Sequence, residues 1–213
     1  MSHDAEKRAA AEAAALLPSS GMRVGLGTGS TVAYLLPALA RRSLDIVCVA
    51  TSPATEAAAR DLGLDVRPFD ELDRLDLAID GADQVAPDGW LVKGGGGAHT
   101  REKIVAAASD RFVVIVSPDK VVDAIAAPIP LELIGFGIAA TVRLLGKVTM
   151  RDCPPSPDGG VIADWLGEIG SPGAAADLLD AHPGVIDHGL FAPALVSQVI
   201  VGNRDGHAHS VVG

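Results

Sequence analysis

Short apolar runs alternate with helical stretches through most of this chain. The opening segment, Met1 to Leu17, is alanine-rich with Asp4, Glu6, Lys7, Arg8 and Glu12 interspersed, and predicts a helix. Met22 to Leu26 predicts a strand, Val32 to about Arg42 a helix kinked at Pro37, and Ile46 to Ala50 a second strand. Thr51-Ser52-Pro53 reads as a helix start with proline near its first turn, and that helix runs through Leu62. Further strands are predicted at Val66 to Phe69, Leu75 to Asp80, Trp90 to Lys93 and Phe112 to Ser117, with a helix from Thr100 to Ala108. The Phe112 run is unbroken by polar residues, as expected of a strand buried on both faces.

Alternation of this kind implies parallel βαβ units. Beyond Pro128 the pattern changes to shorter pieces: extended from Pro128 to Leu133, helical from Gly137 to Leu145, strand from Lys147 to Met150. A proline-rich loop follows, then Val161 to Trp165, Ala174 to Ala181, Val185 to Phe191 and Val196 to Val201. The predicted fold class is α/β, a Rossmann-like, mostly parallel sheet flanked by helices, with a smaller α+β lobe inserted toward the C-terminal half. Residues 1–127 and about 183–213 would form the main domain, and about 128–182 the lobe.

Composition narrows the function classes. Hydrophobic residues make up 48% of the 213, yet charges and glycines interrupt each run short of the roughly 18 to 20 apolar residues a membrane span needs. The N-terminal segment also lacks the basic-then-apolar order of a secretion signal and reads as a first helix; a reducing cytoplasm is expected from the two cysteines. A formal charge of -10 argues against broad attraction to nucleic acid or an anionic membrane, while leaving room for a small anion held by a few local cations. Aromatic residues are only 3%, which disfavours stacking platforms for bases. Cys48 and Cys153 have neither disulfide-framework nor metal-ligand spacing and predict one buried and one surface thiol. His207 and His209 share one side of a possible strand but have no third ligand in view, so metal binding is not expected there.

Two stretches concentrate candidate chemistry. Strand, glycine turn and helix meet at Gly25-Leu26-Gly27-Thr28-Gly29-Ser30-Thr31, where turn N–H groups and the positive end of a helix dipole converge on one point. Ser30 stands where a dinucleotide fingerprint has its third glycine, and no Gly-Lys-Ser/Thr follows. Three hydroxyls suit a terminal monophosphate; a plain turn with capping hydroxyls is the alternative. The second stretch, Asp80 to Lys103, places Asp80 and Asp83 on a turn containing Gly81 and Ala82, Lys93 before Gly94, Gly95, Gly96 and Gly97, and Glu102 just beyond. Four adjacent glycines are entropically costly unless the backbone must take unusual dihedrals or admit a close neighbour. Taken singly, Glu102 is also explained as an acid matched to a helix dipole, Lys93 as a surface lysine, and the two aspartates as a solvated turn. Their coincidence around a glycine run points to an active site. Lys120, at the end of the Phe112 strand, either reaches a phosphate or is solvated, and His99 either touches ligand or is a loop histidine.

Taken together, these segments resemble the type A ribose-5-phosphate isomerases. The likeness rests on the Gly25–Thr31 turn, Asp80-Gly81-Ala82-Asp83, Lys93 through Ala98, Arg101-Glu102-Lys103, Ser117-Pro118-Asp119-Lys120, Pro128-Ile129-Pro130-Leu131-Glu132 and His188-Gly189-Leu190-Phe191, in the family's order along nearly the whole chain. The resemblance implies metal-free interconversion of ribose 5-phosphate and ribulose 5-phosphate through an enediolate, in the non-oxidative pentose phosphate pathway, by a homodimer or homotetramer. It further implies that Glu102 is the base, that Lys93 faces the developing oxyanion, and that Asp80 and Asp83 open the sugar ring and hold its hydroxyls. Thr28, Gly29, Ser30, Thr31 and Lys120, with Lys7 from the first helix, match the phosphate and substrate contacts; Gly81, Ala82, Gly94, Gly95 and Gly96 complete them. Three features depart from the pattern: Gln84 stands where a glutamate is usual, His99 replaces a small or apolar residue, and Pro157-Asp158-Gly159-Gly160 replaces an Asn-Gly turn. Two competing readings are a sugar-phosphate sensor without turnover and a Schiff base on Lys93. The second needs a dry, apolar setting that open glycines and nearby acids do not supply.

Overall fold

The computed structural model describes residues 3–212. In chain order the elements are α1 (Asp4–Ala14), β1 (Arg23–Leu26), α2 (Val32–Ala40), β2 (Val47–Ala50), α3 (Pro53–Asp61), β3 (Asp65–Val66), β4 (Leu77–Asp80), β5 (Gln84–Val85), β6 (Leu91–Val92) and α4 (His99–Ala107). They continue with β7 (Phe112–Val116), β8 (Ile129–Leu133), α5 (Ile138–Leu145), β9 (Val148–Met150), β10 (Val161–Trp165), α6 (Pro172–Asp180), β11 (Val185–His188), β12 (Leu190–Phe191), β13 (Gln198–Gly202) and β14 (Ala208–Val212). The described residues divide into two compact units, one of 3–82, 101–121 and 194–212, the other of 83–100 and 122–193.

The first unit is built on a seven-stranded sheet in the order β14-β13-β7-β4-β1-β2-β3. Only the β13–β14 pair is antiparallel, in agreement with the mostly parallel sheet expected. Every residue of β4 and β7 is buried, as a central parallel strand covered on both faces requires. The core is aliphatic, with Leu26, Leu35, Leu39, Ile79, Val113 and Ile115 in one cluster. Alanines let α1 lie close to the sheet: Ala10 and Ala14 are buried, and a methyl group on Gly202 of β13 would fall 1.9 Å from the Glu6 carbonyl oxygen. Gly25 plays the same part for α4, since a methyl group there would lie 2.5 Å from the Val105 side chain. Ser52 caps α3 by accepting from the Thr55 N–H, with Pro53 in the first turn as predicted. Cys48 is buried, which together with nearby Asp65 pushes its thiol up to about 12, whereas Cys153 is exposed.

The second unit holds a four-stranded antiparallel sheet, β11-β8-β10-β9, and a three-stranded one, β12-β6-β5. One cluster containing Val92, Ile129, Leu131, Leu133, Trp165, Leu179 and Leu190 serves both sheets. This unit is wider than the 128–182 lobe read from the sequence. The cause is long-range pairing: β6 pairs with β5 on one side and with β12, about a hundred residues later, on the other.

Smaller differences have local causes. The strand expected from Val66 to Phe69 stops at Val66, and a single 3-10 turn, Phe69–Glu71, follows Pro68, which has no N–H to give a ladder. The helix α2 continues past Pro37 to Ala40. His209 lies within β14 whereas His207 precedes it, so the two are not a same-side pair on that strand.

Candidate active site

Parallel register brings several loops of the first unit to one edge of its sheet. Leu26 pairs with Ala50 and Ile79, and Asp80 pairs with Val114, so the turns after β1, β2, β4 and β7 all leave from the carboxyl ends of neighbouring strands, where ligands collect in such sheets. At this edge Asp80 is buried and sits on the glycine turn. Its Oδ1 accepts from the N–H groups of Thr28 at 3.0 Å and Gly81 at 2.7 Å. A methyl group on Gly27 would lie 1.9 Å from the same carboxyl group; Gly27 is therefore the seat of Asp80. Gly29 has a φ of 111°, a backbone state that side chains resist.

Hydroxyls line the turn. Thr28 Oγ1 lies 2.9 Å from Thr51 Oγ1 and 3.3 Å from Thr55 Oγ1, and the Thr55 hydroxyl donates to the Gly27 carbonyl at 2.9 Å. Lys7 reaches across from α1 and donates to Ser30 Oγ at 2.9 Å. Thr31 stands at the start of α2, its side chain making no capping bond. After β7, Lys120 closes the turn Pro118–Lys120 beside Asp119. Burial pushes the Asp119 carboxyl up, but the hydrogen bond from Ser117, with electrostatic help from His3 and Lys120, outweighs it and holds the group below its usual range. Cations and hydroxyls of this kind on a strand-end glycine turn are the groups an anion seat requires. Glu102, on the first turn of α4, is buried in this unit.

The second unit holds the other candidates. Asp83 Oδ2 accepts from the Gly95 N–H at 2.8 Å. Lys93 is buried, its N–H donates to the Gly189 carbonyl at 2.8 Å, and its Nζ lies 5.6 Å from the centre of the Phe191 ring, within cation–π range. Gly94 has a φ of 108°, and a methyl group there would meet His99 Nδ1 at 2.7 Å. His99 is thus fully buried beneath the glycine loop rather than exposed on it. Gly95 and Gly96 face solvent. Gln84 pairs through both amide atoms with Ala126, donating to its carbonyl at 2.7 Å and accepting from its N–H at 2.9 Å. A glutamate at this position could not donate, which explains the unusual residue as a loop tie.

Sequence reading missed Thr51 and Thr55, although Thr51 occupies the same strand-end position after β2 as the glycine turn does after β1. It also gave no role to the buried Glu132, whose two oxygens accept from the hydroxyls of Thr100 and Ser156, or to Arg151 and Asp164. Nothing local to those residues signals a role, because their partners are remote in sequence.

The family described as Ribose 5-phosphate isomerase A (phosphoriboisomerase A) matches residues 47–206. The chain is 43% identical to ribose-5-phosphate isomerase A of Rhodopseudomonas palustris (strain HaA2), covering 94% of each protein, and 44% identical to that of Caulobacter vibrioides, covering 97% of each. Among solved structures, ribose 5 phosphate isomerase A from Neisseria gonorrhoeae superposes with a TM-score of 0.94 at 32% identity, over 99% of this chain and 97% of that one. A D-ribose-5-phosphate isomerase in complex with phospho-erythronic acid gives 0.89 at 34%, over 96% of each chain. The chain belongs to the ribose 5-phosphate isomerase A family.

Proposed function

We propose that this chain is an aldose-ketose isomerase interconverting D-ribose 5-phosphate and D-ribulose 5-phosphate, with Glu102 as the base and the reaction passing through an enediolate. The observation that carries this reading is the Gly27 turn, which seats the Asp80 carboxylate through the Thr28 N–H while its hydroxyls and Lys7 offer an anion site. An acid for sugar hydroxyls and a holder for a terminal phosphate thus meet at one turn. The relative holding phospho-erythronic acid has a short phosphorylated sugar acid bound, a ligand of the same class.

A proton next to a carbonyl leaves at neutral pH only when a base is in reach and the forming oxyanion is stabilised; each contributes a factor of about 10² or more. Glu102 takes the proton from C2 and returns it to C1, while the O2 hydroxyl gives up its proton and O1 gains one. Lys93 and the N–H groups of its glycine loop stabilise the negative charge on the enediolate oxygen between those steps. Asp80 and Asp83 open the ring and hold hydroxyls, and Thr28, Ser30, Thr31, Lys120 and Lys7 hold the phosphate, whose binding energy orients the reacting carbons. The same reading makes the protein cytoplasmic and a homodimer or homotetramer.

The test is an isomerase assay on ribose 5-phosphate with and without a chelator, comparing the native chain with Glu102→Gln. Turnover indifferent to the chelator and at least about a hundredfold slower in the variant is expected. Near-normal turnover by Glu102→Gln would remove Glu102 as the base, and binding without turnover by the native chain would leave a sensor.

A further inference from the structure

The geometry points to Arg151 and Asp164 as a positioning pair that aims the backbone N–H groups of the Lys93 glycine loop. Arg151 splits its fork between two tasks. Its Nε and Nη2 donate to the two carboxylate oxygens of Asp164 at 2.7 and 2.6 Å, a bidentate pair. Its Nη1 donates to the carbonyl oxygens of Gly94 at 2.8 Å and Gly95 at 3.1 Å. Asp164 lies in β10 and Arg151 directly follows β9, its neighbour in the antiparallel sheet, so the guanidinium is anchored to a rigid element. That pairing raises the pKa of an already permanent cation.

The consequence follows from peptide planarity. In a trans peptide the C=O and the next residue's N–H point in opposite directions. Fixing the Gly94 carbonyl on Arg151 therefore turns the Gly95 N–H away from the guanidinium, and that N–H is the donor to Asp83. Fixing the Gly95 carbonyl likewise turns the Gly96 N–H away from Arg151, from a position that solvent reaches. Glycines take almost any dihedral, so a run of four does not hold its peptide planes unaided. A cation on two successive carbonyls holds them and polarises the attached N–H groups, strengthening them as donors to an anion. Lysine cannot replace it, because a single ammonium lacks the planar fork needed to engage the carboxylate and both carbonyls.

This inference rests on the reading that the Lys93 loop faces the enediolate. The test compares Arg151→Lys, Asp164→Asn and the double variant in the isomerase assay, alongside Lys93→Ala and Glu102→Gln. Each single change is expected to lower kcat at least about tenfold with KM within about threefold of native, since the phosphate holders are untouched. The double variant should lose no more than the worse single, as members of one network do. Amide hydrogen exchange at Gly95, whose N–H is bonded to Asp83, should quicken in both singles. Native kcat in folded Asp164→Asn, or a lowered melting temperature with kcat unchanged, would overturn the assignment, and so would an unfolded Arg151→Lys beside a fully active Asp164→Asn. Lys93→Ala and Glu102→Gln separate the two levels: if both retain activity the underlying reading fails, and if both lose it while the Arg151 and Asp164 variants do not, the positioning role alone fails.

Discussion

At Gly27 the absence of one carbon decides where a carboxylate sits. A methyl group there would overlap Asp80 at 1.9 Å and force the acid off the two N–H groups that orient it. Displacing a reacting group by about an ångström costs on the order of a hundredfold in rate, and Gly27→Ala is expected to lower kcat/KM by about that much while circular dichroism stays native. Gly170→Ala serves as its control, because an added methyl meets nothing within 4 Å there. Equal activity in the two variants would show that the Asp80 seat is not needed. Residue types alone drew attention to Asp80, Asp83, Lys93 and Glu102. Which glycine supports which acid was not legible, because Gly27 and Asp80 meet only when β1 and β4 pair.

Among the elements, α1 is held by more than its alanines. Glu6, buried on α1, accepts from Arg204 at 2.9 Å and lies 2.6 Å from His3 Nδ1. The hydrogen bond from Arg204, with help from His3 and against burial, holds Glu6 below its ordinary 4.5. For a carboxylate whose folded pKa is depressed, the stabilisation is complete above the unfolded value and is lost as pH falls through the folded one. Urea unfolding between about pH 5 and pH 3 should therefore show a steeper loss of stability in the native chain than in Glu6→Gln; parallel pH profiles would dismiss the contact as neutral. The helical pattern of α1 was plain from its sequence. Its clamp to Arg204 was not, since 198 residues separate the partners.

At the scale of the whole molecule, function is expected to register as stability. A ligand that binds only the folded state at about 100 times its Kd adds about 2.7 kcal/mol, enough to raise Tm by several degrees in a chain of this size. Ribose 5-phosphate should produce such a shift in the native protein and equally in Glu102→Gln, which retains the phosphate holders. Lys7→Ala and Lys120→Ala should diminish it, and a flat response in the native chain would contradict the phosphate assignment. The sequence by itself determined the alternation that makes a parallel sheet, the glycine turn after the first strand, and the residue types of the candidate site, because these depend on local pattern and on which side chains carry protons and charge. Only the tertiary structure decided how far the second unit extends, why His99 is buried beneath the loop, and that Arg151 grips Gly94. Contacts between residues 52 apart, as in Thr28 with Asp80, or 57 apart, as in Gly94 with Arg151, arise from strand pairing and close packing, and no local periodicity encodes them.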